Sequence, residues 1–207
     1  MRKFAFVLAL VVLAGCVPET IRQLQSVEVR EYEGEMLGSV GDFRENSISG
    51  VQLINISEYR LGITGLVENE ASLTYEEVLA NPKYSKVVTL YCVEGWNARV
   101  LWEGVLVKDL IEKAGVKPEA NTIIFHAYDK YTTALPLDYI TGNDIIIAYR
   151  LNNVTLPPEN GFPFQLVAED KLGYKWIRWL TKIELSDDPE YLGTWEKRGF
   201  SNTADVR

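Results

Sequence analysis

Thr89-Leu90-Tyr91-Cys92-Val93-Glu94-Gly95-Trp96-Asn97, running on to Trp102-Glu103-Gly104, decides how this chain is read. Val87 to Tyr91 is a run of β-formers and predicts a strand that leads into Cys92. Glu94-Gly95 forces a turn, and Arg99 to Trp102 is the return strand. A rigid strand end therefore holds Cys92. The sequence has one other cysteine, Cys16, inside an N-terminal apolar segment. Cys92 accordingly has no partner for a disulfide within the domain. A lone soft sulfur at such a place is either an inert core residue or a single-thiolate ligand.

Strands and short helices alternate outward from this hairpin. Tyr59 to Val67 alternates and predicts a strand. Thr74-Tyr75-Glu76-Glu77 is a capping-box pattern, and the helix it opens closes at Asn81-Pro82. Gly104 to Ala114 predicts a helix with Leu106, Leu110, Ile111 and Ala114 on one face and Gly115 as its stop. Thr122 to Tyr128 and Tyr131 to Leu135 are strands, and Pro136 starts a helical turn that Gly142 ends. Asn152-Asn153 suits a type I′ turn between Asp144–Arg150 and Val154–Leu156. Phe164 to Ala168 and Trp176 to Leu185 add two more strands. Crossovers this short argue against a doubly wound parallel sheet and for a strand-rich mixed α+β fold.

Composition bounds the functional classes. At 207 residues the chain suits one domain with a sizeable core. One histidine and a single domain cysteine exclude zinc-finger and zinc-hydrolase spacings. Residues 1–16 have the form of a targeting segment: Arg2 and Lys3, then an apolar run from Phe4 to Leu13. Leu13-Ala14-Gly15-Cys16 matches a lipoprotein signal, which makes Cys16 the lipidated residue and ties the protein to a membrane. A plainly cleaved signal peptide and an uncleaved anchor are the alternatives. All three place the domain outside the cytoplasm. Loss of Arg2 and Lys3 moves the formal charge from −8 to −10. Such an acidic chain is a poor nucleic-acid binder. Residues 17–50 are polar and charged and are expected to be a tether and N-terminal extension, with the domain proper over 51–207.

Cys-Val-Glu-Gly-Trp followed by Leu-Trp-Glu-Gly resembles the molybdenum-binding loop of the sulfite oxidase family of molybdopterin enzymes. The likeness is nearest the small prokaryotic members related to the periplasmic methionine sulfoxide reductase. It spans roughly residues 59–206 by motif order. Leu61-Gly-Ile63-Thr-Gly65-Leu-Val67 matches the family's opening strand. Asn160-Gly161-Phe162-Pro163-Phe164-Gln165-Leu166-Val167 is similar to its His/Asn-Gly-x-Pro-x-Arg-Leu-Val stretch, with Gln165 where the family usually has arginine.

The resemblance implies the mixed α+β fold of the sulfite oxidase catalytic domain. It also implies a molybdenum–molybdopterin cofactor with one pyranopterin, its metal bound by the Cys92 thiolate. Lys171 to Arg178 resembles the stretch that wraps the pterin and its phosphate, so Lys171, Lys175, Trp176, Ile177 and Arg178 are expected cofactor contacts. Asn160, Gln165, Ala127 or its neighbour His126, and more weakly Asn46, are expected beside the pterin. Asp129 and Tyr131 would edge the pocket, Trp96 and Trp102 would be core or pocket wall, and Gly193 to Asp205 would pack over the site.

The implied function is exported oxygen-atom transfer, in the direction of reducing a small sulfoxide or N-oxide. The chain has no Cys-x-x-Cys-His and no cysteine set for an iron–sulfur cluster, so a separate redox partner is implied. Two other readings stand beside it. One is a non-catalytic cofactor- or ligand-binding lipoprotein on the same fold. The other is an extracytoplasmic interaction domain in which Cys92 is merely buried.

Overall fold

The computed structural model describes residues 18–206. Cys16 and the expected targeting segment lie outside the described residues. In chain order the elements are α1 (Glu19–Gln25), β1 (Glu31–Tyr32), β2 (Glu35–Met36), β3 (Leu61–Gly65), β4 (Ala71–Leu73), α2 (Tyr75–Leu79) and β5 (Tyr84–Tyr91). Then come β6 (Asn97–Leu106), α3 (Val107–Ala114), β7 (Thr122–Ala127), β8 (Thr132–Pro136), α4 (Leu137–Gly142), β9 (Ile146–Leu151), β10 (Val154–Thr155), β11 (Gln165–Val167) and β12 (Leu180–Ser186).

The strands build two five-stranded sheets and a small β1–β2 hairpin. One sheet runs β4-β3-β12-β7-β8; the other runs β10-β9-β6-β5, with β11 also on β9. β3 and β12 pair in parallel, and the other named pairings are antiparallel. The core is aliphatic and aromatic, with Trp102, Phe125 and Phe164 fully buried among Leu61, Ile63, Ile111 and Ile147. This is the strand-rich mixed α+β fold expected from the sequence.

Local signals translate directly. Thr74 accepts from the Glu77 amide at 3.2 Å while Glu77 accepts from the Thr74 amide at 2.8 Å, which caps α2 reciprocally. Asn152 and Asn153 both take positive φ, 44° and 63°, as the type I′ turn requires. The Asn152 side chain is buried as well: its oxygen accepts from Leu101 N–H, and its amide donates to Glu28 and to the Gly38 carbonyl.

Three expectations are corrected. The helix expected over Gly104 to Ala114 starts only at Val107, because Gly104 to Leu106 continue β6 against β9. The strands approach so closely there that a Cβ on Gly104 would stand 2.2 Å from the Ile147 carbonyl oxygen. The strand expected over Trp176 to Leu185 begins only at Leu180. Gly173–Lys175 is a 3-10 turn, and Trp179, at φ 52°, bends the chain before β12.

The stretch expected as a tether is folded from Pro18 onward. Ile21, Leu37 and Val40 are buried, and the Glu28 carboxylate accepts from the Ser39 hydroxyl, the Val40 amide and Asn152. A buried carboxylate with that many donors fixes a chain in place. It also leads residues 43–48 back to the hairpin that carries Cys92.

Candidate active site

β5 ends at Tyr91, and Cys92 opens a tight turn. Its amide donates to the Trp96 carbonyl at 2.9 Å, and the Gly95 amide donates back to its own carbonyl at 3.1 Å. Gly95 sits at φ 85°, which its lack of a side chain allows. The strand pair thus fixes the sulfur by backbone geometry. Cys92 is half-buried, a free thiol on the wall of a cavity of about 320 Å³.

Three side chains gather around the sulfur. Asn46 Nδ2 lies 3.6 Å from Cys92 Sγ and 3.3 Å from Glu94 Oε2. That Glu94 oxygen accepts from the Trp96 indole N–H at 3.1 Å and is 4.0 Å from the sulfur. Asn46 Oδ1 in turn accepts from Arg178 at 3.3 Å. Arg178 also pairs with Glu45 at 2.7 Å, donates to the Glu159 carbonyl at 2.9 Å, and stacks on the Trp179 ring at 4.8 Å. Burial pushes the Cys92 thiol above its usual range, and the Glu94 charge adds to that. A backbone bond at Glu94, the Asn46 amide and Arg178 oppose it without winning.

Two amide side chains line the cavity, and the oxygen of one, Gln165, is buried without a partner. Gln165 and Asn160 are both more than nine-tenths buried and line it. Gln165 Oε1 has no hydrogen-bond partner among the described residues, and no bond is made by the Asn160 side chain either. Buried amides without partners are costly unless a ligand satisfies them. Trp176, Ile177, Asp129 and Tyr131 also line the cavity. Tyr131 donates to the Tyr174 carbonyl at 2.6 Å, and its hydroxyl is pushed far above its usual range, chiefly by burial.

Other expected positions lie elsewhere. Lys175 is fully buried and is not on the cavity wall. It forms an ion pair with Glu196 at 2.6 Å and donates to the Ala134 carbonyl and to Asn202. Burial draws its ammonium below the usual lysine range, against the pull of Glu196. Lys171 is paired with Asp205 and lies over the Tyr139 ring, away from the cavity. Ala127 is buried at the end of β7, where β12 and the Tyr131 carbonyl take up its backbone. Beside it His126 pairs with Glu184 at 2.7 Å; burial first, then Lys182, holds its imidazole below the usual histidine range. Trp102 is core, and its indole donates to the Val88 carbonyl.

Phe43 and Arg44, which no motif marks, also line the cavity. Arg44 is exposed and has no ion-pair partner among the described residues. Trp195 and Phe200, from the tail expected to pack over the site, complete the wall.

Comparison with known proteins supplies the family. The sequence model described as "Oxidoreductase molybdopterin binding domain" matches residues 48–195. The chain belongs to that family, the molybdopterin-binding domain of the sulfite oxidase group. An uncharacterized oxidoreductase of Bacillus subtilis, YuiH, is 36% identical over 152 residues, which are 73% of this chain and 76% of that protein. The protein-methionine-sulfoxide reductase catalytic subunit MsrP of Campylobacter jejuni is 28% identical over 74% of this chain and 57% of its own length. Mitochondrial sulfite oxidase of Drosophila melanogaster is 28% identical over 75% of this chain but 32% of its own length. In fold, the sulfane dehydrogenase SoxCD of Paracoccus pantotrophus superposes with a TM-score of 0.70 at 21% identity, covering 89% of this chain and 56% of that one.

The residues present fit a molybdenum–pterin group. A soft sulfur stands on the cavity wall, as molybdenum prefers. Asn160 and Gln165 offer unpaired amides, and Arg178 and Arg44 are cations on the lining. Among the described residues, no group of three His, Cys, Asp or Glu side chains is placed to hold a metal without such a cofactor. This is a molybdopterin-binding oxidoreductase domain.

Proposed function

We propose that the protein is an exported molybdenum–pterin oxidoreductase that reduces a small neutral or zwitterionic oxo-compound, a sulfoxide or N-oxide. The observation that carries this reading is the Cys92 sulfur on a cavity wall whose buried unpaired polar atom, Gln165 Oε1, is uncharged. Gln165 stands where a guanidinium would give a bidentate grip on an anion. MsrP, by name a sulfoxide reductase, is among the relatives.

In the net reaction a sulfoxide gains two electrons and two protons, and its oxygen leaves as water. When bound, the molybdenum centre supplies the two-electron redox change, and one pyranopterin supplies its other sulfur ligands. Cys92 holds the metal as a thiolate. Asn160, Gln165, Arg178 and Arg44 take the pterin and its phosphate, with the two arginines in the role expected of Lys175. Trp176, Trp195 and Phe200 keep bulk water from the reacting side.

Electrons would come from a separate protein, since the sequence carries no Cys-x-x-Cys-His and no cysteine set for an iron–sulfur cluster. Leu13 to Cys16 supports membrane attachment through a lipid on Cys16. The deciding experiment measures molybdenum and pterin in the purified protein. Steady-state kinetics then follow with methionine sulfoxide, trimethylamine N-oxide and sulfite and a redox dye. The expected ranking puts a sulfoxide or the N-oxide first; a much higher kcat/KM for sulfite overturns it. Mass spectrometry of the N-terminal peptide tests the lipid on Cys16.

A further inference from the structure

The geometry points to Glu94 as the residue that excludes anions from this site. The inference rests on the proposed oxo-reduction, because it concerns the charge of the substrate admitted beside Cys92. Glu94 belongs to the same turn as Cys92, and its carboxylate lies 4.0 Å from the sulfur.

Its position is fixed from two sides. The Trp96 indole N–H donates to Oε2 at 3.1 Å, and the Asn46 amide donates to the same oxygen at 3.3 Å. Those bonds hold the carboxylate on the cavity wall beside the sulfur, in the space a substrate would enter to reach the centre held by Cys92. The cation next in the chain of bonds does not cancel it. Arg178 reaches Asn46 but also pairs with Glu45 at 2.7 Å, so part of its charge is offset there. Asp129, also on the lining, adds a second carboxylate. Arg44, the remaining cation there, bonds to none of Cys92, Asn46 or Glu94. The charge recorded within 4.0 Å of the sulfur is therefore the Glu94 carboxylate. A dianion arriving there meets a fixed like charge at contact range, well inside the screening length of about 8 Å. A neutral sulfoxide or N-oxide meets no such barrier.

Uncharged Gln165 only withholds attraction, whereas Glu94 repels. Specificity built from an unfavourable contact is the sharper device. The test uses cofactor-loaded wild type, Glu94→Gln and Glu94→Asp, matched for molybdenum content. Titration calorimetry measures sulfate, an unreactive dianion, and dimethyl sulfone, an unreactive neutral analogue, on each protein. The ratio of the sulfate Kd to the sulfone Kd is the readout. Glu94→Gln is expected to lower that ratio at least tenfold, and Glu94→Asp, which keeps the charge, to restore most of it. An unchanged ratio in Glu94→Gln, or a ratio in Glu94→Asp that follows Glu94→Gln, overturns the inference. Binding is read at equilibrium, so absence of turnover on every sulfoxide and N-oxide would sink the proposed function while leaving the Glu94 measurement decisive. Should Glu94→Gln lose its cofactor, Glu94→Ala is loaded in its place and read in the same way.

Discussion

Asn46 Nδ2 lies 3.6 Å from Cys92 Sγ, although 46 positions of sequence separate the two residues. The contact depends on the folded N-terminal stretch that brings residues 43–48 to the hairpin. Asn46 bonds at once to the sulfur, to Glu94 and to Arg178, so it ties the thiolate to the charged groups around it. Asn46→Ala is expected to shift the thiolate-to-metal absorption of the loaded protein, because a donor to the sulfur is removed. It should cost about 0.5–1.5 kcal/mol of stability, the usual worth of a hydrogen bond. Absorption spectra and denaturant titrations check both.

Cys92→Ser should leave the fold intact and change stability by no more than about 1 kcal/mol, since the side chain is half-exposed and the swap removes no packing. The thiolate charge-transfer bands should vanish. A metal-loaded Cys92→Ser protein with an unaltered spectrum would show that the cysteine is not the ligand.

Arg178→Ala should lower cofactor retention well beyond a change at exposed Lys113 on α3, because a charge-assisted contact to phosphate is worth about 1.5–3 kcal/mol. Lys175→Ala should act differently. It leaves the buried Glu196 carboxylate without its cation, with only the Thr133 hydroxyl donating to it, which costs about 3–5 kcal/mol of fold stability. The double variant Lys175→Met, Glu196→Leu should recover most of that loss. Urea melts of the single and double variants separate the structural role from a phosphate role.

His126 predicts a pH dependence. Burial, then the Lys182 charge, holds its folded pKa below the unfolded value of about 6.5. The folded state thus disfavours the protonated ring. The contribution is fully present above the unfolded pKa and is lost as pH falls through it toward the folded pKa. Denaturation midpoints of wild type should therefore fall between pH 7.5 and 5.5 by more than those of His126→Gln. Equal falls would remove His126 as the cause.

Gly104→Ala should destabilise by about 1–3 kcal/mol, since its Cβ would meet the Ile147 carbonyl oxygen and force β6 from β9. Calorimetric melting checks it.

These residues also show which parts of the molecule the sequence announces. The Cys92 turn, the Thr74 cap and the Asn152–Asn153 turn are set by neighbours a few positions away, so their residue types declare them. Gly104 misleads because its role is set by Ile147, on another strand. Lys175 misleads because its partner, Glu196, comes from the tail, and nothing in Lys-Trp-Ile-Arg tells a buried cation from one facing a phosphate. Ala127 and His126 lie in the expected strand, yet β12 claims them, and only the turn after them, at Asp129 and Tyr131, reaches the cavity. Arg44 carries no local signal at all, and Glu94 is announced only as part of a turn, not as a charge beside the sulfur. Their meaning comes from what they stand beside.

The cavity draws on Phe43 near one end of the described chain and on Phe200 near the other. A ribosome that has delivered Cys92, and even Arg178, has delivered an unfinished vessel, open where Trp195 and Phe200 will stand. The Lys175–Glu196 pair fastens that last wall, and it forms only after the tail has emerged. A chain cut short before Trp195 would therefore keep the Cys92 turn and lose both a wall of its cavity and the partner of its buried lysine.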